Sequence, residues 1–134
     1  MIYLLTTYGN KTMERFDFTD RNNIRALVDA SARAVNDQYS DLRKAREDQQ
    51  EGTGTKGFVY MKMRQHDEAL VLNYKLQAEW YLMRADEEQA SATTPVHYAR
   101  INEHCASAAT FLARADECLA DAEDSKTAWM ACTD

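Results

Sequence analysis

Proline and glycine are scarce in this sequence, with one Pro and four Gly among 134 residues. Many-stranded sandwiches and barrels need frequent turns, so this scarcity argues against them. The three cysteines, Cys105, Cys118 and Cys132, are an odd number without a paired spacing and do not predict a disulfide-stapled secreted domain. No apolar run approaches the ~18 residues that a membrane span requires. We therefore expect a single helical domain at residues 1–134 in a reducing cytoplasm, without a membrane segment.

Basic residues are outnumbered by acidic ones, 16 to 22, which gives a formal net charge of −6. A chain of this charge is a poor match for a phosphate backbone, so we expect no direct binding to nucleic acid. Hydrophobic residues make up 45% and charged residues 28% of the chain, as is typical of folded globular proteins. The composition thus predicts an acidic, folded protein.

Residues 1–18 are predicted to form a β-hairpin. Two runs rich in Tyr, Leu, Thr and Phe flank Gly9-Asn10, a pair that readily supplies the positive φ of a two-residue turn. A lone hairpin is marginally stable in water, so a helix, a third strand or a second subunit should cover one of its faces.

Pairing about this turn places Tyr3 opposite Phe16 and Thr7 opposite Thr12. Side chains alternate between the two faces of a strand, so the register separates an apolar face from a more polar one. We expect the apolar face to be the covered one. That face carries Met1, Tyr3, Leu5, Phe16 and Phe18.

Apolar residues at helical spacing predict three helices after the hairpin. The expected elements are helix 1 at 19–51, helix 2 at 56–91, helix 3 at 94–124 and a tail at 125–134. Residues 57–63 also fit a strand before helix 2, and the pattern leaves both readings open. We expect Trp129-Met130 in the tail to dock onto the core. The predicted fold class is mainly α (α+β): an N-terminal β-hairpin and three helices, the last two a long antiparallel helical hairpin with a coiled-coil-like seam, as in a helical bundle.

The familiar catalytic and metal-binding motifs are missing from the sequence. It has no Gly-rich phosphate loop, no GxSxG and no HxxxH or CxxC spacing. In an antiparallel pair of helices 2 and 3, His66 and His104 would lie ~24 Å apart, too far to share an ion. Arg100, Glu103 and His104 occupy neighbouring helix positions, so a hydrolase centred on His104 and Glu103 is one alternative. We expect no enzyme, no metal and no cofactor.

An extended amphipathic surface favours a non-catalytic protein–protein interaction module that acts through its helices. Residues 93–134 hold three bases against seven acids and offer an acidic recognition surface. A small inhibitor or accessory protein of a phage or mobile element is one setting that fits. We expect a protein partner and a homo-oligomer, a dimer or higher. The predicted partner-binding residues are Trp80, Tyr81, Tyr98, Arg100, Phe111, Asp116, Glu117 and Asp121.

A small-ligand binding or sequestering protein is the main alternative function. Aromatic rings and cations in a cleft between helices or subunits would stack on and pair with a nucleotide-like molecule. The residues predicted for this site are Tyr3, Tyr60, Tyr74, Trp80, Arg100 and His104.

Overall fold

The computed structural model describes residues 3–9, 11–16 and 21–133. The elements in chain order are β1 (Tyr3–Tyr8), β2 (Lys11–Phe16), a 3-10 turn (Arg21–Asn23), α1 (Ile24–Gln50), α2 (Lys56–Ala90) and α3 (Pro95–Ala131). The predicted fold class is confirmed, since a two-stranded antiparallel sheet precedes three helices and α2 packs against α3. None of the described helices combines the length and the apolar character needed to cross a membrane.

The register of the hairpin is the predicted one. Tyr3 pairs with Phe16 and Thr7 pairs with Thr12. The turn begins at Gly9, whose φ of +62° lies in the left-handed region that glycine adopts without strain. Met1, Asn10 and Phe18, which the sequence analysis also assigned to the hairpin, lie outside the described residues.

The covered face of the hairpin differs from the expected one. Leu5, on the apolar face, is 73% exposed, whereas Tyr8 and Arg15 on the other face are buried. The expectation that the face with Leu5 is covered was therefore wrong. The physical reason is that Arg15 and Tyr8 find hydrogen-bonding partners on α2, which offset the cost of burying them.

The local sequence explains where α1 ends and α2 begins. Gly52 takes a φ of +81°, and the amides of Thr53 and Gly54 both donate to the carbonyl of Asp48, which stops α1. Thr55 then caps α2, because its hydroxyl accepts a hydrogen bond from the Phe58 amide at 3.2 Å. Residues 57–63 are consequently the first turns of α2 and form no strand.

Helix α3 continues beyond the predicted end at residue 124 as far as Ala131. Ser125 is buried in line with Ala115 and Ala122, so the inward face of the helix extends past the predicted end. The expected docking of Trp129-Met130 is not seen, since both side chains are exposed, Met130 by 71%.

The chain, for which the sequence predicted one domain, groups into two compact units. Unit 1 comprises Met1–Val28 and Tyr74–Ala113, and unit 2 comprises Asp29–Asn73 and Arg114–Asp134. Each unit therefore takes a segment from every helix. The main buried cluster of unit 1 is Tyr8, Ala78, Leu82, Ala85, Ile101, Cys105 and Ala108. The cluster of unit 2 is Leu42, Ala45 and Val59, with Met63 packed against it.

Candidate functional site

Four side chains of unit 1 form a polar cluster that joins the hairpin to α2; Tyr8, Arg15 and Glu79 are buried, and the Asp86 side chain is 43% exposed. Arg15 of β2 donates from Nη2 to Glu79 Oε1 at 2.5 Å and from Nε to Glu79 Oε2 at 3.0 Å. Its Nη2 also lies 3.0 Å from Asp86 Oδ2, and its Nη1 donates to the Tyr8 hydroxyl at 2.8 Å. The Tyr8 hydroxyl in turn donates to Asp86. We call Tyr8, Arg15, Glu79 and Asp86 the polar cluster.

The charge state of the polar cluster follows from its hydrogen bonds. Burial alone would lower the pKa of Arg15, but hydrogen bonds to Glu79 and Asp86 outweigh it and the net pKa is raised. Burial, followed by the hydrogen bond to Asp86, raises the pKa of Tyr8 well above its ordinary value. At neutral pH the guanidinium is charged and the phenol is protonated. The cluster therefore works chemically as an anchor that fixes the hairpin on α2.

Tyr8→Phe should reduce the loss of stability at alkaline pH. The pKa of Tyr8 is raised in the folded state above its ordinary value of 10.0, so the phenol ionises first in the unfolded chain. The contribution of Tyr8 to stability is therefore complete below pH 10 and falls as the pH rises above about 10. The wild type should lose up to about 1 kcal/mol more than Tyr8→Phe between about pH 10 and 11. Urea unfolding at several pH values measures this slope. Tyr39→Phe, at an exposed tyrosine, is the control, and equal slopes for Tyr8→Phe and wild type would contradict the assignment.

A cavity of about 440 Å³ adjoins the polar cluster at the hairpin turn. Neutral groups line it, among them the side chains of Gln89, Tyr98 and Asn102. Arg100, which the sequence analysis placed in both the partner site and the ligand site, is exposed and lies 3.6 Å from Glu88. This cavity has the volume of a ligand pocket but presents uncharged lining groups.

A second feature of unit 1 is a smaller groove of about 210 Å³ beside Trp80. Its lining comes from the first turns of α1 and from α2. The Arg84 guanidinium carbon lies 4.8 Å from the Trp80 ring centroid, and that of Arg25 lies 5.9 Å away. The ring of Tyr81 meets Trp80 edge-on, with 4.8 Å between centroids. The groove is lined by Arg25, Val28, Gln77, Trp80 and Tyr81.

Several predicted site residues pack against one another inside unit 1. Phe111 stacks on Tyr81 with 5.8 Å between ring centroids and lies 6.1 Å from the ring of Tyr74. His104 belongs to the same group, with its ring 6.3 Å from that of Tyr81. These half-buried rings fill the space between α2 and α3, so Tyr74, Tyr81, His104 and Phe111 have a packing role there.

The three residues of the proposed hydrolase site do not converge in a shared pocket in the described structure. Arg100 and Glu103 are exposed on α3, while His104 is half-buried against Tyr81. Among the described residues, no group of three or more His, Cys, Asp or Glu side chains has the arrangement of a metal site.

Four of the five other predicted residues lie in unit 2, and the fifth, Tyr3, lies in unit 1. Asp116, Glu117 and Asp121 are all exposed on α3. Tyr60 of α2 lines an open groove with residues near the end of α3, including Cys132. Tyr3 is described only by its backbone position in β1.

Unit 2 also presents exposed apolar side chains on the same segment of α3. Leu119 is 46% exposed and Met130 is 71% exposed. Two acidic residues, Asp116 and Glu123, lie on the same segment. The four residues 116, 119, 123 and 130 follow one another at steps of three, four and seven, which places them along one side of the helix. We call Asp116, Leu119, Glu123 and Met130 the α3 stripe.

The polar cluster and the two arginines beside Trp80 were not predicted from the sequence. One signal was available: Glu79 lies three residues after Leu76 and three before Leu82, a core position in the α2 pattern, where a carboxylate needs a buried partner. A second signal was Arg84, four residues after Trp80 and so on the same side of a helix. Comparison with known proteins found no family model, no curated protein and no solved structure that matches this chain.

Proposed function

We propose that this protein is a non-catalytic interaction module that binds a protein partner through the α3 stripe of unit 2. The observation that carries the proposal is the solvent exposure of Leu119 and Met130 on the side of α3 that also carries the carboxylates of Asp116 and Glu123. Full burial of an apolar side chain of this size is worth about 1.5–3 kcal/mol, and a partner surface would supply the part of it that corresponds to the exposed fraction. Methionine is also enriched at such surfaces because its flexible chain adapts to different contacts.

The charge of this part of α3 defines the chemistry of the partner. Between residues 114 and 131 there are five acids, including Asp121 and Asp124, and two bases. A complementary surface presents Lys or Arg side chains around an apolar centre, so the acids set the orientation and association rate while the apolar contacts hold the complex. We therefore propose a partner with a basic, apolar-centred face. By covering this face of its partner, the protein would act as a small inhibitor or accessory protein is expected to act.

Self-association, which the sequence analysis expected, is the competing use of the same stripe. In a symmetric dimer through the stripe, Asp116 and Glu123 of both copies would face like charges, which opposes pairing at low salt. Added salt should therefore strengthen a homodimer through this stripe and weaken a complex with a basic partner. Light scattering of the isolated protein across a salt series measures the first effect.

The double variant Asp116→Lys/Glu123→Lys should weaken partner capture at least about tenfold, because it places positive charge against a basic surface. The experiment is affinity capture from the native host, followed by binding measurements with the recovered partner at low and high salt. Leu119→Ser/Met130→Ser should weaken the same complex by removing its apolar contacts.

The matched control is the reversal Glu47→Lys, at an exposed position on α1 in the same unit. It should leave the affinity unchanged. A partner that binds the stripe variants as tightly as it binds the control, or whose affinity is independent of salt, would refute the proposed surface.

A further inference from the structure

The groove beside Trp80 combines two chemical features that recognise one class of small molecule. Trp80 is half-buried, so its ring is held by the protein while part of it remains open to the groove. The edge-on contact with Tyr81 fixes the orientation of the indole. A fixed, partly open indole is a stacking surface for a flat ring, because every base presents a π-face to it.

The second feature is positive charge beside this ring in a protein with a net charge of −6. The guanidinium carbons of Arg25 and Arg84 both lie within 6 Å of the Trp80 ring centroid, at 5.9 and 4.8 Å. Both arginines are exposed, and Arg84 forms no ion pair with any residue that the structure describes. A base that stacks on Trp80 takes the place of a guanidinium over the ring, and a planar guanidinium released in this way can donate two parallel hydrogen bonds to phosphate oxygens.

The size of the groove limits what it can hold. Its volume of about 210 Å³ is below the roughly 300–1,000 Å³ of pockets that enclose drug-sized ligands. It therefore has room for one ring system against Trp80, with Gln77 and Val28 at its wall. An anionic group attached to that ring must lie near Arg25, which lines the groove, and Arg84, which lies over the Trp80 ring. A ring and an anion joined by a short linker meet this description.

We propose that this groove binds a nucleoside monophosphate, with the base stacked on Trp80 and the phosphate held by Arg84 and Arg25. The proposal is independent of the protein-binding role of the α3 stripe, since the groove lies in unit 1 and the stripe in unit 2. A single nucleotide is favoured over a nucleic-acid strand because the rest of the chain is acidic and would repel further phosphates.

Fluorescence titration tests the site directly, because the protein has two tryptophans and Trp129→Phe leaves Trp80 as the only one. The probes are AMP, GMP, CMP and UMP, with adenosine as a ring without charge and inorganic phosphate as charge without a ring. We expect saturable quenching by at least one monophosphate, with an affinity about tenfold above that of adenosine, and no quenching by phosphate alone. Added salt should remove most of the difference between AMP and adenosine.

Arg84→Gln in the same background should weaken binding of the monophosphate at least about fivefold and leave adenosine binding unchanged. Arg43→Gln, at an exposed arginine of α1 in unit 2, is the control and should not change either affinity. Circular dichroism confirms that each variant is folded.

Three results would overturn the proposal. The first is the absence of saturable quenching by all four monophosphates, and the second is equal affinity for AMP and adenosine. The third is binding of a short single-stranded oligonucleotide more than about tenfold tighter than any monophosphate, which would make a strand the ligand of this groove.

Discussion

Glu79→Ala should lower the free energy of unfolding by about 3–5 kcal/mol, because it leaves the buried guanidinium of Arg15 without its main counter-charge. Arg15 is 5% exposed and Glu79 is completely buried, so water cannot replace the lost hydrogen bonds. Small proteins have total stabilities of about 5–15 kcal/mol, so this one substitution removes a large part of the stability. Urea unfolding followed by circular dichroism measures the difference.

Two further variants show whether the effect comes from the unpaired charge. Glu87→Ala removes an exposed carboxylate from the same helix and should change the stability by less than about 0.5 kcal/mol. Arg15→Met/Glu79→Leu removes both charges and should recover most of the stability lost in Glu79→Ala, because no buried ion remains without a partner. If Glu79→Ala costs no more than Glu87→Ala, the polar cluster does not anchor the hairpin.

Leu82→Ala should cost about 2–5 kcal/mol, since it removes a side chain that is 1% exposed from the centre of unit 1. Part of the loss is the transfer free energy of the removed apolar atoms. The rest is the cost of the cavity, which the neighbouring alanines are too small to fill. The carbonyl of Leu82, which lies 3.3 Å from the Tyr8 hydroxyl oxygen, is retained in the variant, so the measured loss reports on the side chain.

The same substitution on the exposed side of α2 is the matched control for Leu82→Ala. Leu72 is 43% exposed, and Leu72→Ala should cost less than about 1 kcal/mol. In thermal unfolding, Leu82→Ala should lower Tm by more than Leu72→Ala does. Similar losses for the two variants would contradict the packing described for unit 1.

The hairpin shows what the sequence can and cannot predict about this fold. Its register followed from the Gly9-Asn10 turn, because turn position and side-chain alternation are local properties. The covered face could not be predicted in the same way. The hairpin sequence shows that Leu5 is apolar and Arg15 is charged, but it does not show that Glu79 lies beside Arg15. A carboxylate 64 residues away decides which face is buried.

The helix ends show the same division between local and distant causes. The stop at Gly52 was predictable because glycine there adopts the left-handed conformation. Residues 57–63 were ambiguous by composition, and the cap at Thr55 resolves them as helix. The continuation of α3 beyond residue 124 depends on the burial of Ser125, a polar residue that carries no apolar signal.

The candidate sites were foreseen only in part. Asp116, Glu117 and Asp121 were predicted from local charge, and all three are exposed on α3. Trp80 was predicted as an aromatic ligand contact, but its neighbour Arg25 comes from another helix, and only the tertiary fold brings the two together.

The long separation between Arg15 and its partners also has a consequence for biosynthesis. The hairpin leaves the ribosome before Glu79 and Asp86, which follow Arg15 by 64 and 71 residues, have been translated. At about 5–20 residues per second, Arg15 waits roughly 3–13 s for its first counter-charge. During that interval the nascent strands lack the carboxylates of α2 that hold them in the folded protein, and their hydrogen-bonding edges are open, so they are a target for a chaperone.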